Sequence, residues 1–230
     1  FNSNSILAVL LFMGTPIWLI LSNYFKYDVA LIFRITLSIL SLLHYAKYPT
    51  LKNFIIAAIP CSLSLATKFS AIPMLIVYMV SFFWFTPHKL KQYKHLMLGL
   101  IVFLAIFIIL GIPDLVFRWN DYMEYLFSNL VTSVKADSNY LLGVSNKWIY
   151  IFFVLFPITF GHIFYVLFFI AFIYWFFRII KWFYLKKYSN HKNDIFLFFS
   201  FVVFFLSLIP LGLGATVNRL LVLLPFLSLC

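Results

Sequence analysis

The chain consists of apolar runs separated by short polar stretches, most of which carry lysine or arginine. A helix needs roughly 17–25 apolar residues to cross a bilayer, and shorter runs suffice where neighbouring helices shield their ends. The runs cover residues 6–24, 29–43, 54–66, 72–85, 96–112, 148–156, 162–177, 195–211 and 220–230. A soluble domain of 230 residues could not cover so much apolar side chain, of which phenylalanine alone supplies 31 residues. The sequence therefore predicts an all-α polytopic transmembrane helical bundle of about eight spans.

Four details complete this prediction. The run at 148–156 stops at residues 157–161 and is expected to enter the membrane only halfway, and the helix at 54–66 is expected to kink at Pro60. Residues 1–230 are expected to form a single transmembrane domain. Phe1 is not an initiator methionine and the last apolar run is cut at Cys230, so we expect a fragment truncated at both ends.

The longest polar interval, residues 113–147, is expected to be a loop outside the membrane. It carries four of the acidic residues, Asp114, Asp121, Glu124 and Asp137. Apolar residues recur at helical spacing over 119–131, which predicts a short amphipathic helix lying on the surface. These acids are most simply explained as a solvated surface.

The basic residues indicate which face is cytoplasmic. Alternating the spans places loops 44–52, 87–95 and 178–192 on one side. Together they hold ten basic residues: Lys47, Lys52, Lys89, Lys91, Lys94, Arg178, Lys181, Lys186, Lys187 and Lys192. The positive-inside rule makes this side cytoplasmic. The net charge of +11 is thus explained by topology, and no basic patch interleaved with stacking aromatics suggests nucleic acid.

Lys68 lies between the runs at 54–66 and 72–85. Because a charge is costly in hydrocarbon, the ammonium must lie at a membrane surface, in a watery cavity or against an anion. Thr67 and Lys68 therefore predict a tight turn between two spans, on the side away from the basic loops. Asp28 and Arg219 are expected at span ends on the same outer face.

A carboxylate, an ammonium and a guanidinium at span ends would suit a lipid phosphate whose tail lies in the bilayer. Lys68 and Arg219 could neutralise that phosphate, most strongly when it becomes a leaving group. Asp28 could bind a divalent metal ion, the one cofactor that the pattern suggests, or orient an acceptor hydroxyl. The integral protein would then have two lipid partners, the bilayer itself and a polyprenyl phosphate.

Each of these residues also has a purely structural explanation. Asp28 could cap the helix that starts at Val29, Lys68 could snorkel at a span end, and Arg219 could anchor its helix at the interface. Arg34 lies inside a span, where an ion needs a partner. Asp28 is six residues away on another helix face, so we expect Arg34 to meet another helix.

Four segments, in order, resemble membrane glycosyltransferases of the GT-C type, within the protein-mannosyltransferase-like branch that includes the aminoarabinose transferase of lipid A. In residues 22–33, Asp28, Leu31 and Phe33 match an Asp-x-x-Leu-x-Phe entry to a span. Residues 64–71 resemble the family's Thr-Lys turn. The other two matches are the loop borders at 111–113 and 156–161, and residues 218–226, which resemble an Arg-Tyr-Leu-Leu-Pro-x-x-Pro motif.

The resemblance implies an enzyme that transfers a sugar, with inversion, from a polyprenyl-phosphate donor at the extracytoplasmic face of the plasma (inner) membrane. Asp28 would match a second active-site acid, and Lys68 a residue that contacts the lipid phosphate. The family's main catalytic aspartate lies in its first outer loop, which we expect this fragment to lack. Leu220 stands where the family has tyrosine, and the outer loop has no histidine that could join a metal site.

The alternative is a non-catalytic polytopic transporter or lipid flippase. Such proteins place charges near the bilayer midplane and show a repeated half-structure. Arg34 is the only charge within a predicted span, and no pair of matching halves is visible in the sequence. These features favour the transferase.

Overall fold

The computed structural model describes residues 27–68, 71–87, 93–112, 150–185 and 191–207, with short stretches at 117–121, 123–124 and 127–128 and the single positions 223 and 226. Regular structure in these residues is helical, and they contain no strand, so the all-α fold class is confirmed. The helices are α1 (Tyr27–Lys47), α2 (Leu51–Thr67), α3 (Pro73–Phe85), α4 (Tyr93–Gly111), a π-helix (Tyr150–Leu155), α5 (Phe156–Phe160), α6 (His162–Tyr184) and α7 (Lys192–Leu206).

Three segments are long and apolar enough to cross a membrane, namely Val29–Lys47, Tyr93–Gly111 and Tyr165–Tyr184. The faces of α4 and α6 carry large apolar side chains that are mostly exposed, such as Ile109 and Ile170. Such faces suit lipid rather than water. Helices α2 and α3 are apolar but shorter, with 17 and 13 residues. The membrane character is therefore supported, while the predicted number of about eight spans is not confirmed.

The chain divides into two compact units, one of Ala30–Lys135 and one of Phe1–Val29 together with Ala136–Cys230. The first unit contains α2, α3, α4 and all but the first turn of α1. The second contains the π-helix, α5, α6 and α7. Each unit is described separately below, and the prediction of one transmembrane domain stays a prediction.

The core of the first unit forms around Phe54 on α2. The Phe54 ring stacks on Tyr78 of α3 with centroids 4.5 Å apart, and the Tyr78 hydroxyl donates a hydrogen bond to the Phe54 carbonyl at 3.1 Å. Phe103 of α4 packs against Tyr78 with ring centroids 5.5 Å apart. Gly99 lets α4 approach both rings closely, because any side chain there would meet them. Small residues at helix crossings are typical of membrane proteins.

Serine hydroxyls link the helices of this unit. Ser62 on α2 donates to the Phe103 carbonyl at 2.6 Å, and Ser38 on α1 lies 3.0 Å from Ser64 on α2. All three serines are buried, so these bonds satisfy polar groups that have no access to water. Helix α2 continues through Pro60 as one helix from Leu51 to Thr67.

Aromatic side chains join α6 and α7 in the second unit. Phe172 packs against Phe201 with centroids 5.3 Å apart, and Trp175 meets Phe198 edge-on at 5.1 Å. Before α6, the chain is helical through Pro157 to Phe160, within the stretch 157–161 at which the apolar run was predicted to stop. The break comes at Gly161, which adopts a φ of 80°. That conformation favours glycine because it lacks a Cβ.

Several predicted boundaries are wrong by a turn or more. Helix α1 begins at Tyr27, so Asp28 lies in its first turn instead of capping a helix from Val29, and it ends at Lys47 instead of Leu43. Helix α6 extends to Tyr184 through residues predicted as a basic loop. Arg178 stabilises this extension because its guanidinium lies 4.7 Å from the centre of the Trp182 ring on the next turn.

The predicted surface helix at 119–131 is described only in part. Residues 119–121, 123–124 and 127–128 are helical, and Trp119 and Phe127 are exposed. The helical character is thus confirmed at these positions, and the other residues of the stretch lie outside the described ones.

Candidate functional site at the end of α2

The two basic loops of the first unit lie at the same end. Tyr45, near the end of α1, forms a hydrogen bond with Thr86, the residue that follows α3. The basic stretch 44–52 covers the last turn of α1 and the start of α2, and the stretch 87–95 begins after α3, so this contact places the described parts of both stretches at one end of the unit. The sequence prediction that these loops share a face is supported within this unit.

The opposite end of the unit is formed by the end of α2 and the end of α4. Gly111 closes α4, and a Cβ at that position would lie 2.8 Å from the Ala66 Cα. Helices α2 and α4 therefore run parallel, because Phe54 and Gly99 meet near their starts and Ala66 and Gly111 near their ends. The last turn of α2 lies at the end away from the basic loops.

Lys68 marks the turn that the sequence predicted. Helix α2 ends at Thr67, and Lys68 follows in extended conformation while its N–H donates to the Ser64 carbonyl at 3.4 Å. The N–H of Ala71 then donates to the Lys68 carbonyl at 3.0 Å, and α3 begins at Pro73. Proline suits this position because the first turn of a helix needs no N–H donor there. The tight turn between two apolar helices is confirmed.

Arg34 of α1 reaches the same turn. Its Nη1 donates a hydrogen bond to the Leu63 carbonyl at 3.1 Å and another to the Thr67 hydroxyl. Thr67 in turn donates to the Leu63 carbonyl at 2.7 Å. The expectation that Arg34 meets another helix is confirmed, and its partner is the last turn of α2, directly before Lys68. A helix C-terminus favours a cation because its carbonyls carry partial negative charge.

Further polar side chains follow this contact along the interface between α1 and α2. The Ser38 hydroxyl donates to the Arg34 carbonyl at 2.7 Å and lies against Ser64 across the helix interface. Arg34 and Ser38 are four residues apart on α1, and Ser64 and Thr67 are three apart on α2. Each pair occupies one helix face. Matching polar stripes on two neighbouring spans are thus a sequence signal that could have identified Arg34 as part of the site.

The described part of the structure does not show the side chains of the other predicted site residues, Asp28 and Arg219. Asp28 lies in the first turn of α1, but its side chain is outside the described part, and so is all of Arg219. The convergence of Asp28, Lys68 and Arg219 therefore stays a prediction.

A metal site has no support among the described residues, since they contain no group of three or more His, Cys, Asp or Glu that could hold an ion. His162 is the exposed first residue of α6. The predicted option of a divalent ion would therefore depend on Asp28 and on acids of the long loop; the side chains of Asp28, Asp114 and Asp137 are outside the described part.

The described geometry places a cation at the end of α2. The Arg34 guanidinium is bonded to the last turn of α2, and the backbone of Lys68 follows that turn, at the end of the unit opposite the basic loops. Such an arrangement can bind an anion. Comparisons of the chain with protein-family models, with curated proteins and with solved structures found no match.

Proposed function

We propose that the protein transfers a sugar from a polyprenyl-phosphate donor to an acceptor at the extracytoplasmic face of the plasma membrane. The observation that carries the proposal is the position of Lys68, at a tight turn between two apolar helices and at the end of its unit away from the basic loops. A donor with its tail in the bilayer would present its phosphate at this level.

The proposed reaction needs a cation at the phosphate and a carboxylate at the acceptor. The acceptor oxygen attacks the anomeric carbon from the face opposite the phosphate, the bond between that carbon and the phosphate oxygen breaks, and polyprenyl phosphate leaves with the electron pair. Lys68, with Arg219 as a second candidate, would stabilise the charge that develops on the leaving phosphate. Asp28 is the candidate that orients the acceptor hydroxyl and takes its proton.

The direct test is transfer by the intact protein in proteoliposomes. Vesicles are supplied with labelled polyprenyl-phosphate sugars and an extract of cell-envelope acceptors, and the labelled product and released polyprenyl phosphate are measured. We expect both to form in equal amounts, since each transfer breaks one bond to phosphate. Movement of the intact labelled donor between leaflets without bond cleavage would contradict the proposal and favour a flippase.

The sidedness of Lys68 gives a second test. In a variant without Cys61 and Cys230, a single cysteine is placed at position 68 or, as a matched control, at the exposed position 52. We expect a membrane-impermeant thiol reagent added to intact cells to label position 68 and to label position 52 only after permeabilisation. Labelling of position 68 only from inside the cell would place the turn on the wrong face for the proposed reaction.

A further inference from the structure

Among the described residues, the part-buried Arg34 side chain bonds only neutral acceptors, both on α2. Its Nη1 contacts the Leu63 carbonyl at 3.1 Å and the Thr67 hydroxyl. Over the residues that the structure describes, no carboxylate lies within ion-pair distance of the guanidinium, and its Nε and Nη2 make no hydrogen bond. An ionised group within a span normally has a partner of opposite charge or serves a function. We therefore expect an anion to bind at the Arg34 guanidinium.

A structural role explains only part of this arrangement. A cation at the last turn of α2 would stabilise the helix C-terminus, and a long side chain can snorkel towards the interface. The two hydrogen bonds of Nη1 to the last turn of α2 are enough for these structural roles. The guanidinium carries five N–H donors in a planar fork, so three donors on Nε and Nη2 remain for a ligand. Arginine matches the oxygens of a phosphate through two parallel hydrogen bonds, which a lysine cannot do.

The depth of Arg34 suits a phosphate at the membrane interface. Seven residues separate it from the start of α1 at Tyr27, which corresponds to about 10 Å along the helix axis. Its side chain reaches from that depth to Thr67, the last residue of α2, and Lys68 follows directly. A phosphate at this level could meet the guanidinium and the ammonium together while its lipid tail stays in the bilayer.

We propose that Arg34 and Lys68 together bind the phosphate of a membrane lipid, with Arg34 as the bidentate ligand and Thr67 as the residue that positions it. The inference rests on the proposed function for the identity of the lipid, a polyprenyl phosphate. The shared chemistry, a phosphate carried by a lipid tail, is also present in ordinary anionic phospholipids, and the test separates the two sources.

The test measures binding of labelled polyprenyl phosphate to the purified full chain in detergent. Unlabelled competitors are polyprenyl phosphate, the polyprenol without phosphate, phosphatidylglycerol and inorganic phosphate. We expect polyprenyl phosphate to displace the label and polyprenol to fail at the same concentration. Arg34→Gln keeps a hydrogen-bond donor but loses the charge and the fork, and is expected to weaken binding about tenfold to a hundredfold.

Two further variants separate a ligand from a structural cap. Arg34→Lys keeps the charge at the end of α2, so it is expected to melt like the wild type while binding is weakened, because the bidentate fork is lost. Thr67→Val removes the hydroxyl that accepts from Arg34, and we expect it to weaken binding less than Arg34→Gln does. Lys52→Gln changes a cation in the first turn of α2, at the opposite end of the helix, and should leave binding unchanged.

Each outcome decides the inference. Wild-type binding by Arg34→Lys, or equal displacement by polyprenol and polyprenyl phosphate, overturns it and leaves Arg34 as a helix cap. Displacement by phosphatidylglycerol as strong as by polyprenyl phosphate, with the same dependence on Arg34, supports the phosphate site but removes support for the proposed donor. A protein that transfers sugar normally with Arg34→Lys and Arg34→Gln keeps its proposed function and loses this inference.

Discussion

Replacing Gly99 with valine is expected to lower the free energy of unfolding by about 3 kcal/mol. A Cβ at this position would lie 2.9 Å from the Phe54 Cδ1, and closer still to Phe54 Cε1 and the Tyr78 hydroxyl. Neither ring can move aside easily, because both are fully buried and stacked, and the Tyr78 hydroxyl is bonded to the Phe54 carbonyl. Helix α4 would have to shift away from α2.

The measurement compares thermal unfolding of the purified variants in detergent. Ala105→Val is the control, since Ala105 lies on an exposed part of the same helix; it introduces the same valine side chain there and should change the unfolding temperature little. If Gly99→Val unfolds at the temperature of Ala105→Val, the close approach of α4 to Phe54 and Tyr78 is wrong.

The helices of the first unit could be predicted from the sequence because their apolar runs are long and sharply bounded by polar residues. The predicted runs at 54–66 and 96–112 correspond to α2 and α4 within three residues at either end. The contact at Gly99 could not be predicted in this way. It depends on how α4 is rotated against α2 and α3, and apolar side chains surround these helices on nearly every side.

Helix ends were predicted less well, for a physical reason. Polar and basic residues were assigned to loops, yet Tyr45 is buried and bonded to Thr86, and Arg178 packs on Trp182. Both residues therefore belong to helices that continue into the membrane surface, where amphipathic side chains have an apolar body in contact with protein or lipid and a polar tip in water. A helix end predicted from hydropathy alone therefore falls too early in the chain.

The candidate site was predictable in part. Lys68 was identified because a charge between two apolar runs has few places to lie, and the turn was found where expected. The contact between Arg34 and Thr67 joins residues 33 positions apart. It depends on the register of α1 against α2, which no spacing within either helix determines. The roles of Asp28 and Arg219 stay predictions, as does the sugar transfer itself.

Lys68→Ala is expected to reduce sugar transfer by a factor of about 100 to 1,000, the size of effect seen when one charge-stabilising group is removed from an active site. The reason is that the ammonium would stabilise the phosphate most strongly as it leaves. The loss should therefore appear mainly in kcat, with a smaller change in KM, because the interaction strengthens in the transition state. Lys68→Arg, which keeps the positive charge, should recover part of the rate.

Folding has to be measured in the same preparations. Lys68 lies in an extended position after the last turn of α2, and its N–H and carbonyl make the backbone bonds of this turn. The alanine variant keeps these backbone bonds, and its unfolding temperature shows whether a loss of transfer is separate from a loss of folding. Lys52→Ala, at the opposite end of α2, is the matched control and should keep full transfer. If Lys68→Ala and Lys52→Ala transfer sugar equally well, Lys68 is an interfacial anchor and the assignment of the site to this turn is wrong.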